Sequence, residues 1–244
     1  MTQPTMTILY DLIDKTWPAA ATMAVGPFTI RQGNGGGSRV SAATLNTSAT
    51  LNDIAQAEAA MTAMNQPRLF MVKDGQDHFD RQLENCGYTI MDPCNMYAGA
   101  TADLRERPPH KTCFAAWPPL AAQTEIWEAG GIGPARMAVM NRTTGSKTTI
   151  LGRTDDRPAG TVYAAIHNGC AMLHALEIAP SARRQGLGRC LTQATAIWAA
   201  SQGASHLALI TTQANAGANA LYASLGMTVV GHYHYRIKPS ETAT

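Results

Sequence analysis

Met172-Leu-His-Ala-Leu-Glu-Ile-Ala-Pro-Ser-Ala-Arg-Arg-Gln-Gly-Leu-Gly-Arg-Cys-Leu191 is the stretch on which the reading of this chain turns. It begins as an apolar run, stops at Pro180, passes through a basic turn with two glycines, and opens into a helical run of alanines and long aliphatic residues. A strand, a turn with free amides and a helix N-terminus, in that order, build an anion site. The first helical N–H groups have no partner inside the helix, and the helix dipole is positive at that end. Gly186 and Gly188 let a phosphate approach the backbone without meeting a Cβ. Arg183, Arg184 and Arg189 place positive charge around the same turn. A pattern this short also arises in ordinary strand-to-helix turns with a solvated basic face, so the rest of the chain has to decide.

Composition narrows the choice. At 244 residues the chain suffices for one large domain or two small ones, and a hydrophobic content of 45% is that of a globular protein. A formal net charge of +2 implies no nucleic-acid partner, so the local arginine cluster fits a small anionic ligand better. Cys86, Cys94, Cys113, Cys170 and Cys190 are scattered, with neither a C-x-x-C nor a cysteine–histidine spacing for zinc. They read as reduced, buried thiols of a cytoplasmic protein, and no metal site is expected. The first residues lack a basic segment followed by an apolar core, so no signal peptide is expected. No apolar run approaches the roughly 20 residues of a membrane helix, so no membrane partner is expected.

Outward from the central stretch, hydrophobic periodicity predicts helices over 6–17, 50–65, 78–85, 120–129, 184–202 and 215–225. Strands are predicted at 27–31, 39–43, 68–72, 88–91, 148–153, 160–167, 170–178, 206–211 and 228–237. Asn168-Gly169 is a hairpin turn signal between two of them. Gln32-Gly-Asn-Gly-Gly-Gly-Ser38 invites reading as a phosphate loop. No helix pattern starts directly after it and no lysine follows, so a hairpin turn is the expectation. Residues from about 98 to 119, which carry Pro108-Pro109 and Pro118-Pro119, read as a linker or crossover, and the expected domain boundary, 105/106, falls in it.

A second motif lies downstream. Asn215-x-x-Ala218-x-x-Leu221-Tyr222-x-x-x-Gly226-Met227 puts Asn215, Ala218 and Tyr222 on one helical face, 27 residues beyond Gly188. Arg183-x-x-Gly186-x-Gly188 after a strand resembles the pyrophosphate loop of the GCN5-related N-acetyltransferases, the GNAT superfamily. The second motif resembles that family's N-x-x-A-x-x-L-Y-x-x-x-G-F pattern, with Met227 in place of the usual phenylalanine. The two occur in the family's order, within residues 147 to 237.

The resemblance implies an α/β (α+β) GNAT fold, a mixed twisted sheet flanked by helices. An internal repeat extends it. Leu69-Phe-Met-Val72, a helix and Cys86-Gly87 match Leu207-Ala-Leu-Ile210, a helix and Leu225-Gly226, with 15 and 16 positions from last strand residue to glycine. Two tandem GNAT-like domains are therefore expected, 1–105 and 106–244. The first has no R-x-x-G-x-G and is read as a degenerate copy unable to hold a cofactor in the usual way.

The activity implied is transfer of acetyl from acetyl-CoA to the primary amine of a small molecule or peptide, by direct attack. The alternative is a non-catalytic acyl-CoA-binding or sensing module. By resemblance, the backbone of Leu176 to Ile178 meets the pantetheine, and the turn of Arg183, Arg184, Gln185, Gly186, Leu187, Gly188 and Arg189 holds the pyrophosphate. Asn215 then bonds the pantetheine arm, and Tyr222 protonates the leaving thiolate. The base stays open between His174 and Glu177. His174 matches the second histidine of the His-x-His strand in serotonin acetyltransferases, with Met172 at the first position. Three apart on a strand, the two face opposite sides unless a bulge intervenes.

Overall fold

The computed structural model describes residues 2–239. The first half of the chain forms α1 (Met6–Thr16), β1 (Ala21–Val25), β2 (Phe28–Gln32), α2 (Ser38–Ser41), β3 (Ala43–Leu45), α3 (Leu51–Ala63), β4 (Leu69–Lys73), α4 (Asp77–Asn85), β5 (Thr89–Ala100) and α5 (Thr101–Leu104). The second half forms β6 (Cys113–Ala116), α6 (Ala121–Ala129), α7 (Pro134–Arg142), β7 (Lys147–Thr154), β8 (Arg157–His167), β9 (Cys170–Ile178), α8 (Leu187–Ser201), β10 (His206–Thr212), α9 (Ala216–Ser224) and β11 (Thr228–Ile237).

These elements gather into two compact units, neither continuous in sequence. One takes the residues up to Pro18 with Met96–Thr211 and Asn215–Val230; the other takes Ala19–Asn95, Thr212–Ala214 and the chain from Gly231. The partition differs from the expected split at 105/106. The first helix goes with the later elements, and the chain changes unit inside β5 and again inside β11. Periodicity shows that α1 has an apolar face, buried here at Leu9, Leu12 and Ile13, but not which sheet covers it. It is β8 and β9.

In the unit containing α1, the strand order is β5-β10-β9-β8-β7-β6. β6 through β9 are mutually antiparallel neighbours, and β10 runs parallel to β9. Asn168 and Gly169 join β8 to β9 with φ of 47° and 71°, the two positive values a type I′ turn requires. On one face, α8 lays Leu187, Leu191, Ala196 and Ala199 on Ile150, Val162, Leu173 and Leu207. It comes close because β7 and β8 carry glycines beneath it. A Cβ at Gly160 would lie 2.7 Å from Ile178 Cδ1 and 3.1 Å from Leu187 and Leu191. The other face carries α1 and α6, with Trp17, Tyr163 and His174 in ring contact.

The second unit orders its strands β1-β2-β3-β4-β11, with β3 and β4 parallel and the other pairs antiparallel. Its core is Phe28, Ile30, Phe70, Val72, Phe79 and Tyr88 under α3, which contributes Ile54, Ala57 and Met61. The repeat is visible in this topology. β3-α3-β4 and β9-α8-β10 are each a parallel strand pair joined through a helix, and α4 and α9 each end at a glycine with positive φ, Gly87 and Gly226.

Two expectations are corrected, and one strand, β1, was not expected. Residues 39–43 are not a strand after a glycine hairpin. The glycines turn into α2, and β3 starts only at Ala43, because a Cβ at Gly33 would sit 2.0 Å from Ser41 Oγ in this tight return. Residues 98–119 are not a bare linker, since β5 runs on to Ala100 and β6 forms from Cys113. β1 lacks the alternation that marks a strand because four of its five residues are exposed. No helix among the described residues is long and apolar enough to cross a membrane.

The packing of α8 is open to direct measurement. Leu191→Ala empties a fully buried position between α8 and the two sheet glycines. The expected cost is about 2–5 kcal/mol in urea unfolding, and a loss below about 1 kcal/mol would show that the site collapses around the smaller side chain.

Candidate active site

Two departures from regular pairing shape β9. Its partnership with β10 runs from His206↔Cys170 to Leu209↔Leu173 and stops, although β9 continues to Ile178 and β10 to Thr212. On the other side, the register with β8 passes from Tyr163↔His174 to Thr161↔Glu177, two residues against three. That extra residue is a bulge, and Ala175 within it has φ of 51°, left-handed backbone that a residue with a Cβ seldom adopts. The indole N–H of Trp127 on α6 donates to the Ala175 carbonyl at 2.7 Å.

The bulge changes parity. Thr161 and Tyr163 share a face of β8, so their partners Glu177 and His174 share one too, instead of pointing apart as regular alternation demands. Beyond the bulge, Leu176, Glu177 and Ile178 form one wall of a groove of about 680 Å³.

The turn after β9 forms its floor. Pro180–Ala182 makes a 3-10 turn, then Arg184 (φ 64°) and Gly186 (φ 84°) take left-handed backbone. α8 therefore begins at Leu187 and not at Arg184, because helical dihedrals cannot start before Gly186. Gly186 is its N-cap and offers no side chain, so the first amides of α8 are unclaimed and open to an anion. A Cβ at Gly188 would lie 3.2 Å from Leu221 Cδ2, so the bare backbone lets the start of α8 approach α9.

α9 supplies the far wall. Asn215 caps it, its side-chain oxygen accepting the Ala218 N–H at 3.1 Å. Tyr222 is buried, with its ring 5.7 Å from that of Tyr97, and its hydroxyl makes no hydrogen bond to the described residues. Burial pushes its phenol up to about 12, so it is a proton donor at neutral pH and not a base. Two arginines tie the walls together. Arg183 donates to the Ile178 carbonyl at 3.0 Å and to Glu177 Oε1 at 3.1 Å, and Arg189 donates to Ser224 Oγ at 2.7 Å.

The groove thus brings together the sequence-derived candidates on β9, the turn and α9, with two exceptions. Gln185 is exposed and donates back to the Ser181 carbonyl at 3.0 Å. His174 is 3% exposed, stacked at 4.9 Å on Trp17, with Nε2 2.9 Å from Thr16 Oγ1, and lies outside the groove lining. Its parity was read correctly only up to the bulge; α1 then covers that part of the face. Sequence reasoning missed Gly217, Ala220 and Ser224, which also line the groove. Their spacing from one another, three and then four residues, and their small size were the available signal. It missed Trp127 as well, since nothing local marks an indole that reaches a distant carbonyl.

The helix N-terminus of the other unit is chemically different. α3 starts with a capping box, Thr50 N–H donating to Asp53 Oδ2 at 2.8 Å and Asp53 N–H to Thr50 Oγ1 at 3.3 Å. The Asp53 amide is taken, and the Asp53 carboxylate stands at the helix start. Among the cysteines, burial pushes Cys113 and Cys170 up to about 12, which makes them poor nucleophiles. No group of three metal-ligating side chains occurs among the described residues.

Residues 106–227, half the chain, match the model of the acetyltransferase (GNAT) family, and the protein belongs to that family. Family membership places it among acyltransferases. A GCN5-related N-acetyltransferase from Kribbella flavida aligns with a TM-score of 0.68 at 19% identity, over 96% of each chain. A tandem GNAT protein from the clavulanic acid biosynthesis pathway aligns at 0.62 and 12% identity, over 98% of this chain and 92% of that one. A functionally unknown conserved protein from Staphylococcus epidermidis aligns at 0.66 and 12%, over 88% and 92%. At these identities the likeness is one of fold, and the fold is the tandem GNAT architecture. No curated protein matches the sequence.

The Tyr222 environment makes a pH prediction. Its folded phenol titrates near about 12, while an unfolded tyrosine titrates near about 10. The unfolded chain therefore loses this proton first, and the contribution to stability disappears as pH rises from about 10 to about 12. Absorbance titration of wild type against Tyr222→Phe is expected to assign the missing phenol to the high end of that range; ionisation near 10 would contradict the burial.

Proposed function

We propose that the protein transfers acetyl from acetyl-CoA to the primary amine of a small molecule or peptide, by direct attack in a ternary complex. The observation that carries this reading is the convergence on one groove of an unpaired strand edge, an uncapped helix N-terminus and a buried, protonated tyrosine. Each fits one part of acetyl-CoA. The strand edge at Leu176 to Ile178 suits the pantetheine amides and polarises the thioester carbonyl through backbone N–H. The amides of the turn, with Arg184 and Arg189 beside them, suit the pyrophosphate. The Asn215 amide nitrogen, which makes no hydrogen bond to the described residues, suits the pantetheine arm.

The chemistry follows from where the protons go. An alkylammonium, with a pKa of about 10, must lose a proton before its nitrogen can attack. Glu177 is the carboxylate in the groove lining and takes that proton directly or through one water. His174, the other candidate, has no access to the groove behind Trp17 and is set aside as the base. The amine nitrogen bonds to the thioester carbon, the carbon–sulfur bond breaks, Tyr222 protonates the departing sulfur, and the second nitrogen proton, shed as the amide forms, returns to the Tyr222 phenolate. Arg183, already on Glu177, holds the carboxylate at the groove.

Thiol release from acetyl-CoA with panels of amines, amino acids and peptides tests the reaction. Tyr222→Phe is expected to lower kcat about a hundredfold while leaving CoA affinity within about twofold. Unchanged turnover would remove Tyr222 from the acid role. Tight acetyl-CoA binding with no turnover on any amine class would make the protein an acyl-CoA-binding module instead.

A further inference from the structure

We infer that Trp127 is a positioning residue for acyl transfer, and that the last turn of α6 is the template that sets the β9 bulge and aims Glu177 into the groove. The inference rests on the acetyltransferase reading, because the groove wall it controls is the one assigned to the thioester.

The argument starts from a backbone conformation that needs outside support. Ala175 carries a Cβ and has φ of 51°, with no glycine to relieve it. Being the extra residue of the bulge, it also drops out of the ladder with β8, where pairing jumps from His174 to Glu177. A carbonyl lost from a ladder inside a protein needs another donor. The Trp127 indole N–H provides it at 2.7 Å, from a side chain with no exposed surface.

The same helix end meets the other side of the bulge. Gly130 caps α6, and a Cβ there would lie 2.6 Å from Glu177 Cδ and 2.7 Å from Cγ. The Glu177 side chain is therefore threaded over the one position in that turn with no side chain. Trp127 and Gly130, three residues apart, are on the same face of the turn. One grips residue 175 and the other clears a path for residue 177, so the segment between them is held from both ends. Without the bulge, Glu177 would point to the opposite face of the strand, and Leu176 to Ile178 would present a different edge.

Trp127 touches neither donor nor acceptor in this account, so its effect has to reach the reaction through Glu177 and the strand edge. Trp127→Phe keeps an aromatic ring and removes the N–H. Gly130→Ala changes a helix cap with φ of −86°, which alanine adopts without strain, and the three atoms nearest the new Cβ all belong to Glu177. Both variants, Glu177→Gln and the double variants are compared for kcat, KM of the amine and Kd of CoA. Trp127→Phe is expected to lower kcat about tenfold with the CoA Kd within about twofold, and Gly130→Ala to lower kcat similarly. In the Glu177→Gln background each effect is expected to shrink to about twofold or less, since a misplaced carboxylate cannot be lost twice.

Losses that multiply fully with Glu177→Gln, or an unchanged kcat, would overturn the inference. A crystal structure of Trp127→Phe, or of Gly130→Ala where the first does not fold, gives a readout independent of turnover. Ala175 is expected to leave left-handed backbone in the former, and Glu177 to swing away from the groove in the latter. Unchanged geometry overturns the inference even in a protein that transfers acetyl, whereas altered geometry in a protein whose wild type shows no turnover sustains it and counts against the acetyltransferase reading alone.

Discussion

A parallel pair of strands that stops pairing after four residues is the constraint on which the rest of this protein depends. Past Leu173 and Leu209, β9 keeps its ladder with β8, and its other edge no longer pairs with β10. Backbone groups without partners are costly when buried, so such an edge persists only where the strand is held by other means. Here one face is pressed by α8, seated closely over Gly152 and Gly160. The opposite face is held by α1 and α6, through the Trp17–His174 stack and the Trp127–Ala175 hydrogen bond.

The two units share one topology but start the helix between their parallel strands differently. Each contains a parallel strand pair joined through a helix. At the start of α8 stands Gly186, left-handed and without a capping group. At the start of α3 stand Thr50 and Asp53, whose side chains each accept the other residue's backbone N–H. A glycine N-cap is less stable than a threonine one by only about a few tenths of a kcal/mol, so leaving the first amides of α8 uncapped costs the fold little. The second unit, with its compact aromatic core of Phe28, Phe70, Phe79 and Tyr88, keeps the architecture without that terminus.

Burial sorts the titratable groups into those able to act and those that hold the fold. Tyr222 is buried yet borders the groove, so desolvation keeps its proton on while access is retained. His174 is buried without such access and serves to bind α1 through Thr16. Asp80 in the other unit holds β11 through Arg236 at 2.7 Å, whose guanidinium keeps that carboxyl below the ordinary range. Each outcome follows from the neighbour that covers the group and not from its residue type.

Local chemistry was legible in the chain. The Asn168-Gly169 turn, the glycines at Gly186 and Gly188, the Asn215 cap and the helical spacing to Tyr222 act within a few residues of one another, so their geometry follows from their order. That was sufficient for the family and the tandem repeat. What tertiary structure alone decided concerns contacts between residues far apart in the chain. A helix from the first residues covers His174, an indole 48 positions upstream holds the Ala175 carbonyl, and one extra residue in β9 turns Glu177 to the same face as His174. A strand pattern has a period of two and carries no mark of where a partner strand will skip a count. Which of His174 and Glu177 borders the groove therefore lay beyond the sequence, because it depends on a bulge held in place from another helix.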